Sequence, residues 1–489
     1  MGATRVTVLS RDELESIHGA TLRLLEEVGV LVREPRAQRL LTAAGAQRDA
    51  GTDRFRLPSD LVKRAVAAVP KRWTWYARES KHDLVVGDGG RTRLGPGSAC
   101  NRIIDFDTGQ VRPATPRDGD ELVRLLDALE LVDIAYTPVS FGESEGPPSY
   151  VEVACMVRDV QNTSKVFVGP SYDGTMARNG LKIAAVLAGG EEQLRKHPMV
   201  AGYCDPVGPL IHDRAMTETL IEYAAMGQPV FVTVLDLAGA SAPATLAGTL
   251  LQQNAEVLSG VVIAHLVNPS APVIYGSVSG ALDMRTGSAA LGGPEAGLLS
   301  IASVQLAHFY GLPCTVGGQS DATVHDAQAS LEKATTLLAA VLAGADFVDL
   351  FFGSYAGYDT TSFEQIVLDH DIAGYAFRYA EGIEVTEETL GLDLLREVGP
   401  GGGFLRNRRA LKFARERMRK EFYFPDVLRR SAPDPLNPRS PLALLSEAHD
   451  RAGRLLREHR PDPIDPELVL EMEQVLASLR PVSSPSGAA

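Results

Sequence analysis

From about Thr115 onward, short apolar runs alternate with longer amphipathic or apolar stretches. The short runs are Leu131–Tyr136, Lys165–Gly169, Met199–Cys204, Pro229–Leu235, Pro272–Val278, Pro313–Val316 and Phe347–Phe352. They are short and almost wholly apolar, the pattern of strands buried on both faces. The stretches between and after them predict helices over Tyr150–Val160, Thr175–Leu187, Asp213–Met226, Pro243–Leu266, Pro294–Tyr310, Ala327–Leu342 and Ser362–Arg378. Seven strand–helix units at this spacing predict a parallel sheet with crossover helices.

The first part of the chain has a different rhythm. Ser10-Arg11-Asp12-Glu13 is spaced like a capping box and predicts a helix through Val28, with Leu14, Ile17, Leu22, Leu24, Leu25 and Val28 as its apolar stripe. Shorter helices are predicted over Pro35–Ala44 and Pro58–Ala68. Trp73-Thr74-Trp75-Tyr76 alternates like a strand, and Arg91–Asp107 predicts a hairpin with turns at Gly95-Pro96-Gly97 and Asp107-Thr108-Gly109. Beyond the Gly399–Gly403 hinge come a basic helix, Arg406–Glu421, a Pro-rich stretch, Ser431–Ser440, and charged helices near Pro441–Glu458 and Pro466–Leu479.

These patterns predict an α/β protein: a TIM-type (β/α)8 barrel over residues 111–400, an N-terminal α+β cap over 1–110 and a C-terminal helical extension over 401–489. One strand is missing from eight, and the cap or Gly382–Val385 could supply it. An open doubly wound sheet competes, but no GxGxxG follows the first strand run. Polar groups that follow barrel strands stand where chemistry sits in that fold.

Charge and composition narrow the function classes. The net charge of −14 argues against nucleic acid as a partner. The mean hydropathy is −0.03 and no apolar run reaches a bilayer-spanning length, so a cytoplasmic protein without membrane partners is expected. Cys100, Cys155, Cys204 and Cys314 lie far apart, with no CxxC, and read as buried thiols. No HxxxH, HxH or ExxH spacing accompanies His370, the histidine flanked by Asp369 and Asp371, so no directly bound metal is expected.

The densest polar patterning runs from Gly293-Pro294-Glu295 through Gly317-Gly318-Gln319-Ser320-Asp321 to Asp371. Together with Gly95-Pro96-Gly97, Asp105 and Thr108-Gly109, Thr115 and Asp118, and Asp205-Pro206 before Pro209-Leu210, this ordered series resembles the trimethylamine:corrinoid methyltransferase family, including its pyrrolysine-free branch. The resemblance covers nearly the whole chain. It implies a TIM-type barrel and transfer of a methyl group from a methylated amine to the cobalt of a corrinoid held by a separate small protein. The trimethylamine enzymes of that family use pyrrolysine, whereas this chain has only standard residues. That departure implies a quaternary ammonium such as glycine betaine.

Such a reaction needs a held cation, one methyl aimed outward and water excluded, with little acid–base help. Aromatic faces and a carboxylate hold cations of this kind. Aromatic residues are 6% of the chain, and Tyr203, Tyr275, Phe352, Tyr355 and Tyr358 fall near strand ends, the last two in a polar loop. Asp205, Asp321 and Glu295 are the candidate catalytic carboxylates. Asp349, inside an apolar run, requires either a polar mouth or a cationic partner. Gln319, Ser320 and His370 are candidate hydrogen-bonding groups for an anionic end of the substrate, and Gly97, Gly317 and Gly318 for close approach of the corrinoid ring. Two other classes stay open: a metal-dependent barrel hydrolase or lyase using Asp205, Asp321 and His370, and a non-catalytic quaternary-amine binding protein. A homo-oligomer is expected, through apolar outer helices such as Pro243–Leu266 and Pro294–Tyr310.

Overall fold

The computed structural model describes residues 6–97, 100–105, 108–141, 147–430 and 443–479. Its centre is a curled, all-parallel sheet of seven strands: β1 (Arg93–Pro96), β2 (Phe167–Val168), β3 (Val200–Cys204), β4 (Val230–Val234), β5 (Val273–Ser277), β6 (Cys314–Gly317) and β7 (Phe347–Phe352), in the order β1-β7-β6-β5-β4-β3-β2. Consecutive strands from β2 to β7 are neighbours, the arrangement that right-handed crossover helices produce. Between the two edges runs the segment 133–136. The Asp133 and Ile134 amides donate to Leu94 O, the Ala135 amide donates to Val166 O, and Ile134 pairs in parallel with Val166.

The longer helices are α1 (Arg11–Glu27), α2 (Pro35–Ala43), α3 (Ser59–Ala68), α4 (Pro116–Ala128), α5 (Pro148–Asn162), α6 (Gly174–Ala188), α7 (Arg214–Ala225), α8 (Leu246–Val267), α9 (Pro294–Phe309), α10 (Ala327–Ala343), α11 (Phe363–Glu381), α12 (Arg408–Glu421), α13 (Ala443–Glu458) and α14 (Pro466–Ser478). The capping box at Ser10 is formed: the Glu13 amide donates to Ser10 Oγ, and the Ser10 amide to Glu13 Oε2. A cap of this kind is worth about 1 kcal/mol. A second one, Thr115 with Asp118, starts α4, a helix absent from the sequence expectation. α8 is long and apolar enough to cross a membrane, yet most of it is buried under α1, α2 and α3 and against the sheet. α9 is also covered, with Gln305 accepting from the Val8 and Leu9 amides. The outer faces expected to form subunit contacts are therefore largely occupied within the chain.

Two expectations in the N-terminal part are corrected. Gly95-Pro96-Gly97 is not a turn, because Arg93–Pro96 is a strand of the main sheet and pairs with β7. Its glycines answer to close packing, since a Cβ on Gly95 would lie 2.7 Å from Asp349 Oδ1. The hairpin lies further on, Arg102–Ile104 with Val111–Pro113, and Asp107 of its turn is outside the described residues. Gly382–Val385 forms no strand. The Pro-rich stretch Ser431–Ser440 is also outside the described residues.

Small sheets close the two ends of the curl. At the strand starts, Trp73–Trp75 pairs with Leu84–Val86. The Trp75 ring sits 6.0 Å from Phe231 and 6.2 Å from Phe347, and its Nε1 donates to Met199 O. This aromatic plug floors the concave side. At the strand ends, Leu237–Ala238 pairs with the hairpin Gly280–Asp283/Ser288–Ala290, and Thr360–Thr361 pairs with the hairpin Arg102–Ile104/Val111–Pro113. The loop after β3 reaches the N-terminal layer, where Ile211–His212 pairs with Val30–Val32.

Candidate active site

Side chains alternate across a strand, so one marker per strand fixes which residues line the concave side. Tyr203 stacks on Phe231, 4.9 Å between centroids, and Phe231 meets Trp75, so β3 points Tyr203 inward and β4 points Phe231 and Thr233 inward. In β5 the Tyr275 hydroxyl donates to Asn254 Oδ1 on α8, so Tyr275 faces outward and Gly276 faces inward. Register places Thr233, Gly276 and Thr315 side by side, and Asp349 beside Gly317. Alternation breaks at Leu350, whose φ is 60°. Beyond that break Phe351 turns outward, under the Lys333 ammonium at 4.7 Å.

The concave side is consequently polar above its aromatic floor. Tyr203 Oη, Thr233 Oγ1, Thr315 Oγ1 and Asp349 Oδ2 are all buried without a protein hydrogen-bond partner. One such group costs about 1–3 kcal/mol, so four on one surface mark a site built for something else to satisfy. No Lys or Arg bridges Asp349 among the described residues; the Leu350 backbone amide and the Tyr136 hydroxyl, the latter at 3.3 Å, donate to it. Burial pushes Asp349 up to about 7. Asp205 follows β3 on the same side. Its side chain is exposed to solvent, yet protein crowds around it, and that crowding, with Asp213 nearby, pushes it up to about 7 as well.

Tyr358 stands over this pair. Its backbone is left-handed, φ 77°, and the Gln319 side-chain amide donates to its hydroxyl. Burial raises its phenol far above the usual range, and Asp349, Asp321 and Asp205 all add to the effect, so the three carboxyls lie within electrostatic reach of the Tyr358 hydroxyl. Tyr172, half-exposed after β2, feels Glu152 and Asp205 and widens the aromatic rim.

Other sequence candidates have different duties. Asp321 accepts from the Leu291 and Gly292 amides, both at 2.9 Å, and so fixes the turn into α9. Ser320 donates to Glu332 at 2.7 Å. Glu295 is exposed in the first turn of α9, where the helix end alone favours a carboxylate. Tyr355 is fully buried and hydrogen-bonded to His325 and to Gln365, so it supports the loop instead of lining the site. Phe352 packs edge-on against Phe351. His370 lies on the far side of α11, near Asp371, Asp426 and Glu130, and does not converge with Asp205 and Asp321. The cofactor glycines are filled by the chain itself: a Cβ on Gly97 would meet Ser354 at 2.9 Å, on Gly317 the Gln319 amide at 2.0 Å, and on Gly318 the Phe351 ring at 2.7 Å.

Two buried networks hold the rim loops. Under the β7 loop, Lys333 pairs with Asp369 at 3.2 Å and donates to Phe351 O, while Asp369 accepts from the Gly353 amide and from Gln365. Under the Asp205 loop, Glu256 accepts from the Leu210 amide at 2.7 Å, and Gln252 donates to both Asp236 and Glu256. Burial raises both carboxyls, Glu256 further because the Asp236 charge stands beside it, and the two share a hydrogen bond. One proton held between them removes the repulsion of two buried anions. At the opposite end of the sheet, His308, Cys314 and Asp346 come together, a set of ligand types that sequence spacing does not reveal. Asp346 Oδ2 takes the Cys314 amide, the Cys314 thiol and His308 Nε2, so the group is a hydrogen-bonded tie between α9 and the starts of β6 and β7.

The trimethylamine methyltransferase (MTTB) family model matches residues 2–480. The chain belongs to that family. It is therefore an enzyme of the amine methyltransferase class. It is 33% identical to a glycine betaine methyltransferase of Desulfitobacterium hafniense, over 97% of both chains. It is 32% identical to a trimethylamine methyltransferase of Methanosarcina barkeri, over 97% of this chain and 96% of that one. The fold is that of the monomethylamine methyltransferase of Methanosarcina barkeri, with a TM-score of 0.55 at 15% identity over 94% of this chain and 89% of that one.

Proposed function

We propose that this enzyme takes one methyl group from a quaternary ammonium that also carries a carboxylate, of the glycine betaine kind, and passes it to the cobalt of a corrinoid on a separate protein. One observation carries the substrate class: a buried carboxylate, Asp349, shares a surface with three partnerless hydroxyls, Tyr203, Thr233 and Thr315. Quaternary nitrogen cannot donate a hydrogen bond, so only charge and aromatic faces hold it. The carboxylate end needs donors, and hydroxyls supply them. The likeness to a glycine betaine methyltransferase and a chain of only standard residues support the same reading.

The chemistry asks little proton transfer of the protein. The docked corrinoid supplies the electron pair that forms the new bond to the methyl carbon. The old C–N bond breaks with its pair left on nitrogen, and a neutral tertiary amine departs. Positive charge fades from nitrogen as that happens, so Asp349 and Asp205 serve capture and aim more than transition-state stabilisation. The aromatic floor excludes water from one end, which leaves the strand-end mouth for the incoming acceptor.

We propose also that the curled sheet is a closed eight-stranded barrel. The segment 133–136 would be its missing strand, supported by its hydrogen bonds to both edges. On this reading the barrel takes Arg93–Pro96 from the preceding cap, and the part beyond residue 400 is an extension. Calorimetric titration tests the substrate assignment. Glycine betaine binding that weakens about 100-fold in Asp349→Asn would support it, and equal affinity in wild type and variant would contradict it.

A further inference from the structure

Eleven of the twenty-three exposed large apolar side chains among the described residues fall between Tyr379 and Phe424. Ile383 is 84% and Leu405 85% exposed, and Leu390, Phe404, Phe422 and Phe424 join them. A groove of about 950 Å³ runs through the same region, between the end of α11 and the end of α12. Monomers seldom display apolar surface this concentrated, and such patches mark contact with another macromolecule.

Charge says which one. The patch has two limbs of opposite sign. Residues 381–398 hold six Asp or Glu against one Arg, while α12 holds seven Lys or Arg against two Glu. The limbs touch through Lys420 and Glu384 at 2.7 Å and Arg409 and Glu397 at 3.2 Å. An acidic strip beside a basic strip, with apolar side chains along both, is complementary to itself after a two-fold rotation. Each acidic limb then faces the basic limb of the other copy. A basic helix on a chain of net charge −14 also finds its opposite most readily on a second copy of the same chain.

We infer that residues 379–424 form a two-fold interface between two copies of this chain. The inference does not depend on the substrate assigned above. It moves the expected self-association away from the covered helices α8 and α9 and onto the C-terminal extension.

The test is the mass of the full-length protein by light scattering at micromolar concentration, for wild type and for the double variant Ile383→Asp/Leu405→Asp. Both side chains are exposed, so their replacement leaves the fold intact, which an unchanged melting temperature verifies. The wild type is expected at an even multiple of 52.4 kDa, and the double variant at half that mass with methyl transfer to free reduced cobalamin unchanged. A wild type of one chain, or an assembly that the double variant leaves whole, would overturn the inference. So would a variant of unchanged mass that no longer transfers methyl groups to a corrinoid protein, since the patch would then be that partner's seat.

Discussion

Asp349 is held where an ionised carboxylate is disfavoured, and that cost has a measurable sign. Its folded value is pushed up to about 7, above its unfolded value of about 4. The stability it contributes is complete below about pH 4 and is lost as pH rises through 7. Asp349→Asn should therefore raise the melting temperature at pH 8, and raise it less at pH 5, while lowering kcat/KM at least 100-fold. Ligand affinity should run the other way: because the ionised form holds the cation, glycine betaine should bind more tightly as pH rises through 7. Tyr203→Phe separates the two ends of the substrate. It should lower kcat/KM about 10-fold for a betaine, roughly one hydrogen bond, and scarcely change binding of tetramethylammonium, which has no carboxylate. Composition and periodicity could say of Asp349 only that it must face a polar mouth or a cation. They placed Tyr355 in the site because its loop is polar, but that loop folds back and buries the ring. The break in alternation at Leu350 decides which side chains point inward, and no local residue pattern announces it.

At the scale of elements, most strands and helices were legible because apolar runs and caps stand out in the chain. Two were not. α4 was missed because its buried apolar residues are confined largely to its second half, while its first turn is charged. Arg93–Pro96 read as a turn because Gly-Pro-Gly is turn chemistry, yet here the glycines make room for Asp349 and Ser354. The buried ties between elements were equally hidden, since Lys333 looks like a surface residue of an ordinary helix. Lys333→Met should leave Asp369 as an uncompensated buried charge and lower unfolding stability by about 3–5 kcal/mol, read by urea denaturation. The same variant should loosen Tyr358 and raise KM before it changes secondary structure.

At the scale of the whole molecule, one paired strand decides whether the sheet is an open curl or a ring. Hydrogen exchange reads it directly: in a closed barrel the amides of Ile134 and Ala135, which donate to Leu94 O and Val166 O, exchange as slowly as those of β4 and β5. The parallel sheet was expected from the repeating strand–helix rhythm. Its polar concave side could not be, because Tyr203, Thr233, Thr315 and Asp349 lie on four strands and meet only once register is fixed.

The most direct measurement is methyl transfer to chemically reduced cobalamin, followed by its visible spectrum, with glycine betaine, carnitine, choline, proline betaine, dimethylglycine and trimethylamine offered in turn. Conversion with a carboxylate-bearing quaternary amine and none with trimethylamine is the predicted result. Conversion with trimethylamine and none with any betaine would contradict it.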